Sequence, residues 1–165
     1  MRLSNKRKKS IYTFTYSLIG VMFLLGISAY ILEINELDIF GDKAWILPTI
    51  PILLFLLVFS LGRPIFDYDS DGEALSFRNS HILPFMKKSA KDEFPKYKLL
   101  KYNIINTFIV KRLYIYISSK KNNVTILKYD ISYLSRKQLR DLKMSLNKVI
   151  KANRENIREN NREND

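Results

Sequence analysis

Asp67, Asp69 and Asp71 recur at every second position and are followed by Gly72, which brings them closest to a recognisable chemistry. Oxygen ligands at positions 1, 3 and 5 with glycine at position 6 open an EF-hand calcium loop, and a bidentate glutamate at position 12 completes it. Position 12 is Arg78, a cation where the metal needs a carboxylate, so the run reads as the polar turn of a β-hairpin. The chain has no cysteine, which removes disulfides, thiolate metal sites, cysteine nucleophiles and lipobox-type lipidation. His81 is the single histidine and sits beside Ile82 and Leu83, so it reads as a packed or surface side chain and zinc lacks a ligand set. No acid–base pair or triad can be assembled, and the expectation is a chain that is not an enzyme and needs neither metal nor cofactor.

Charge carries more information than any motif. The 28 Lys and Arg against 16 Asp and Glu give a formal net charge of +12, which suits an anionic partner: nucleic acid, acidic protein or a membrane leaflet. Lys87, Lys88 and Lys91 form a candidate contact with an anionic surface, in competition with a merely solvated basic loop. Tyr97, Tyr102, Tyr114, Tyr116, Tyr129 and Tyr133 interleave with cations, a composition that also serves base stacking. In strand-like segments such tyrosines pack more often than they stack, and no nucleic-acid reading motif accompanies them.

The elements that must position these residues begin with two uncharged apolar blocks, Ile11 to Leu32 and Ala44 to Gly62. About 20 such residues span the hydrocarbon core of a bilayer. Arg2, Lys6, Arg7, Lys8 and Lys9 precede the first block, as in a secretory leader, but the block exceeds a signal core and a second one follows. Neither block has the polar stripe of a core helix in a soluble domain. Trp45 suits an interface, and Pro48 and Pro51 fall in the first turns of the second helix, where missing donors cost least. The connection 33–43 is acidic, with Glu33, Glu36, Asp38 and Asp42 against Lys43, whereas the leader and the residues after Gly62 are basic. The positive-inside rule then predicts a multi-pass protein of the cell membrane with both termini cytoplasmic.

After the hairpin, Ile65 to Tyr68 and Glu73 to Arg78 read as paired strands. The Lys87 to Asp92 run reads as a loop. Lys96 to Thr107, Phe108 to Ser118 and Val124 to Tyr129 read as further antiparallel strands, rich in Ile, Leu, Val and Tyr. Ser135 is a candidate N-cap of an amphipathic helix whose apolar face is Leu139, Leu142, Leu146, Val149 and Ile150. The end of the chain repeats Arg-Glu-Asn at Arg154, Arg158 and Arg162 and reads as a frayed helix end or a disordered tail. The predicted organisation is a basic leader (1–10), a transmembrane hairpin (11–62), a cytoplasmic domain (63–152) and a polar tail (153–165). The fold class is α+β, with an antiparallel β sandwich or barrel closed by a C-terminal helix.

Two transmembrane helices, the Asp69-Ser-Asp-Gly-Glu-Ala-Leu-Ser-Phe77 hairpin, further strands and a terminal amphipathic helix resemble small bacterial membrane proteins with a pleckstrin-homology-like cytoplasmic domain. The resemblance covers about Ile11 to Lys151 and rests on element order. It implies a small bent sandwich plugged by a helix. In eukaryotic relatives of that fold basic loops bind phosphoinositides, but no motif here matches residue for residue. The expected function is a membrane-anchored module that meets a protein partner at an anionic membrane surface, with lipid-headgroup sensing as the alternative. Ser17, Gly20, Gly26 and Ser28 would allow close helix packing, which suits an auxiliary subunit of a membrane complex or a homo-oligomer.

Overall fold

Uncharged apolar residues fill both N-terminal blocks, and in the computed structural model, which describes residues 1–37, 39–82, 89–119 and 123–163, both blocks are helical. Helix α1 spans Lys9–Leu32 and α2 spans Ile46–Ser60, the latter continuing through Pro48 and Pro51. Both lie in helical stretches long and apolar enough to cross a membrane, and only 11% of each apolar window is buried. Phe14, Leu24 and Leu53 are among the exposed side chains. Exposure on this scale rules out a role as core helices of the β domain.

The two helices form a pair, and Gly26 lets them approach. A Cβ at Gly26 would lie 2.7 Å from the Leu47 carbonyl oxygen and 2.8 Å from Pro51 Cγ. Because Pro51 has no N–H, the Leu47 carbonyl loses its usual helical donor, and the bare glycine backbone packs against it. Phe23 and Phe55 fill the seam, ring centroids 6.4 Å apart.

Two antiparallel sheets follow. Strands β1 (Arg2–Ser4), β2 (Ile65–Asp69), β3 (Ala74–Ser80) and β4 (Ala90–Pro95) pair in that order. Strands β5 (Leu99–Thr107), β6 (Val110–Ser119) and β7 (Asn123–Asp130) form the second sheet. The fold is α+β as the sequence predicts, but the sheets stay open and do not close into a barrel. Their inner faces share one core: Phe66, Tyr68, Leu75, Phe77 and Phe94 from the first sheet meet Leu113, Ile115 and Tyr129 from the second. The Phe77 ring stacks on both Phe94 and Tyr129.

Helix α3, Arg136–Glu163, closes the sandwich with Leu142 and Leu146 fully buried. Ser135 caps it as predicted: its hydroxyl accepts the Gln138 N–H at 3.2 Å, and the Gln138 side chain accepts the Ser135 N–H at 3.0 Å. Three segments after the helices differ from the sequence reading. Strand β4 already starts at Ala90, within the polar run read as a loop, because an edge strand needs only Phe94 to face the core. Lys96–Lys98 is a single 3-10 turn instead of a strand. The Arg-Glu-Asn tail stays helical to Glu163; Arg and Glu are good helix formers, and Lys151 pairs with Glu155 one turn on.

Strand β1 is the least expected element. Its register sets Arg2 against Asp69, Leu3 against Tyr68 and Ser4 against Asp67. Leu3 thereby enters the core, while the polar residues form a ladder on the other face. Arg2 Nε donates to Asp69 at 2.8 Å, Lys6 Nζ lies 2.9 Å from Asp67, and the Ser4 hydroxyl donates to Asp67. The Asp71 N–H and Arg2 hold the Asp69 carboxyl below its ordinary pKa, so this contribution is complete above the usual carboxylate range and is lost as pH falls through the lowered value. The helical hairpin is therefore an insertion between two paired neighbouring strands.

Residues 63–165 alone should melt at least about 5 °C below the same segment carrying residues 1–6 through a short glycine-rich turn. Burial of Leu3 is worth about 2 kcal/mol, and each kcal/mol moves the midpoint of a domain this size by roughly 4–8 °C. Calorimetry of the two proteins decides it, and equal midpoints would show that β1 adds nothing.

Candidate functional site

Both helices are rooted at one end of the sandwich, and three polar side chains build that root. Asn5, buried just before α1, donates from Nδ2 to the Pro64 carbonyl at 2.7 Å and accepts the Phe66 N–H at 2.8 Å. It ties the start of α1 to the segment leaving α2. Asn79, fully buried in β3, donates to the carbonyls of Arg63, Ile65 and Asp130 at 3.3, 3.0 and 3.2 Å and accepts the Asp130 N–H at 2.8 Å. A buried amide needs this many partners to offset its desolvation.

The third is Asp130, at the end of β7. Its carboxylate accepts the Arg63 N–H at 3.2 Å and lies 3.6 Å from Arg112 Nε. Gly62 passes directly over it at φ +78°, and a Cβ there would sit 2.6 Å from the carboxylate. Gly62 is thus required twice, by its left-handed backbone and by this close approach. Three residues on, Tyr133 receives α1: its ring meets Tyr12 edge-on at 5.0 Å, and its hydroxyl lies 3.4 Å from that of Tyr16. Burial, with the Tyr16 contact in support, pushes the Tyr133 phenol far above its ordinary pKa, so it stays neutral.

Around this root lies a cavity of about 750 Å³, walled by Phe59 and Ser60 at the end of α2 and by Arg63, His81, Arg112 and Lys128 from the domain. Three permanent cations face one carboxylate, Asp130. Arg63 Nε is buried without a hydrogen-bond partner among the described residues. A site with surplus positive charge and an unused guanidinium donor beside apolar helix residues suits an anion attached to an apolar body.

The sequence-predicted sites fall elsewhere. Lys87 and Lys88 lie outside the described residues. Lys91 is exposed on β4 opposite Arg78, does not line the root cavity, and flanks the Asp67 and Asp69 face. The three aspartates of the calcium-like run are engaged by the N-terminal segment: Asp67 by Ser4 and Lys6, Asp69 by Arg2, Asp71 by the Met1 amino group. Arg78, at the twelfth position, pairs in register with Asp67. Among the tyrosines, Tyr129 is wholly buried and donates to Asp92 at 2.8 Å, Tyr97 is exposed, and Lys101 lies over the Tyr116 ring.

One signal in the sequence does point to the root. Leu75, Phe77 and Asn79 share a face by the period of two, so Asn79 is a polar residue at a core position. Asn5 and Asp130 carry no comparable mark: the Pro64 carbonyl that Asn5 meets lies 59 residues away, and the Arg63 N–H that Asp130 accepts lies 67 away. No family model, curated protein or solved structure matches the chain.

Replacing Asn79 by Ala strands three carbonyls and the Asp130 N–H, at about 1–3 kcal/mol for each group left unpaired. Thermal melting of the full-length protein in detergent should show a loss of at least about 5 °C for Asn79→Ala and for Gly62→Ala. An unchanged midpoint in both would contradict the root described here.

Proposed function

We propose that this chain is a membrane-anchored module whose β domain rests on the cytoplasmic leaflet and binds an anionic phospholipid headgroup in the cavity where the helices enter the domain. The observation that carries the reading is the cavity itself, with Arg63, Arg112 and Lys128 gathered beside the last turn of an exposed apolar helix. A headgroup phosphate there would meet the cations while its acyl chains follow the α2 surface. Each cation held at an anionic leaflet contributes on the order of 1 kcal/mol.

Two further features support the setting. Pairing of β1 with β2 brings the start of α1 and the end of α2 to the same sheet, so a hairpin that crosses the bilayer leaves both termini on one side. The basic flanks and the acidic connection 33–43 favour the cytoplasm as that side. Four strands plus three, closed by one C-terminal helix, is an order that favours the pleckstrin-homology-like reading. A protein partner remains the second reading, favoured by β7, an edge strand of its sheet on which Val124 and Ile126 are exposed.

The test uses full-length protein in nanodiscs of zwitterionic lipid, titrated with a short-chain anionic phospholipid. Saturable binding that weakens about fivefold for each charge removed, by Arg112→Gln and Lys128→Gln, supports the headgroup site. Binding that ignores both substitutions, or equal binding of a zwitterionic lipid, refutes it and turns the search to a protein partner.

A further inference from the structure

The β5–β6 hairpin turns in two residues, Phe108 and Ile109, because Thr107 pairs with Val110. A two-residue turn requires left-handed backbone that Gly, Asn or Asp adopts readily. Here Phe108 adopts it at φ +37°. The same Phe108 is 98% exposed and Ile109 44% exposed, so neither side chain earns its place by packing. An aromatic at the position least suited to it, with a β-branched residue beside it and both open to the surroundings, serves contact with something outside the domain.

Position in the fold says what that something is. Val110, next in the chain, walls the root cavity together with Phe59 and Ser60 of α2. Lys111 is fixed to the root by backbone bonds, its carbonyl accepting the Ile131 N–H at 2.9 Å and its N–H donating to the Ser132 hydroxyl at 3.0 Å. Tyr133, adjacent to Ser132, packs on α1. The tip therefore projects at the end of the domain from which both apolar helices leave. Lys111 and Arg112 follow one residue further on, an aromatic wedge backed by cations that complements the interfacial layer of an anionic leaflet.

We propose that Phe108 and Ile109 form a third membrane contact, a wedge that enters the interfacial layer of the bilayer crossed by α1 and α2 and so fixes how the domain lies on it. The proposal rests on the membrane reading above, but on residues that the headgroup experiment leaves untouched.

The chain has no cysteine, so single-cysteine variants of the full-length protein report single sites. Phe108→Cys, Ile109→Cys, Leu53→Cys in mid-α2 and Ser118→Cys at the opposite end of β6 would each carry an environment-sensitive fluorophore, in vesicles containing lipids with a quencher high on the acyl chain. The expected result is blue-shifted, lipid-quenched emission at 108, 109 and 53 and water-like, unquenched emission at 118. Quenching at 53 with water-like emission at both 108 and 109 overturns the wedge alone. Water-like emission at 53 overturns the membrane reading, and the wedge with it. Both tip side chains are exposed, so their loss leaves the core intact, and equal melting of all four variants verifies this.

Discussion

The pairing of β1 with β2 is the constraint on which the rest of the structure depends. A three-residue strand is too short to hold by backbone bonds alone, and it is secured by Leu3 in the core on one face and by the Arg2, Ser4 and Lys6 ladder to Asp69 and Asp67 on the other. Surface ion pairs of this kind are each worth little. They select the register, since a slip of one residue would put Arg2 or Ser4 into the core and set cations against Tyr68. Once that register is set, the 60 residues between the strands must leave the sheet and return to it at adjacent points, and two antiparallel helices do so.

The same constraint explains why the domain end that meets the helices is polar inside. A chain entering and leaving a sandwich at one place brings unpaired backbone groups with it, at Pro64, Arg63, Ile65 and Phe66. Asn5 and Asn79 satisfy them with side-chain amides, each of which donates and accepts. Asp130 then compensates part of the positive charge that Arg63 and Arg112 bring, leaving the cavity with a cationic excess beside apolar helix. Root and proposed site adjoin: of the groups that root the helices, Gly62 and Asp130 also border the cavity.

Much of the architecture was legible locally. The two apolar blocks, the β2–β3 hairpin, most of β5 to β7, the Ser135 cap and the amphipathic face of α3 all follow from periodicities of two or 3.6 and from capping chemistry. What was hidden depends on partners far away in the chain. Strand β1 looks like a basic leader until Asp67 and Asp69 are placed opposite it, and the same aspartates look like an incomplete calcium loop until Arg2 and Lys6 are. β4 hides because an edge strand with a single core residue is as polar as a loop. Of the root residues only Asn79 was detectable, by its place on the Leu75 and Phe77 face. The cations of the cavity, Arg63, Arg112 and Lys128, lie on separate elements and no spacing in the sequence unites them.

The central claim is that one sheet holds both ends of a membrane-crossing hairpin, and side-specific labelling tests it most directly. Single cysteines at Ser4 in β1, at Gly41 between the helices and at Ser118 in β6 would be exposed to a membrane-impermeant maleimide in sealed vesicles of known orientation. The account predicts that positions 4 and 118 react together from one side and position 41 from the other. Reaction of 4 and 118 from opposite sides, or of all three from the same side, would contradict it.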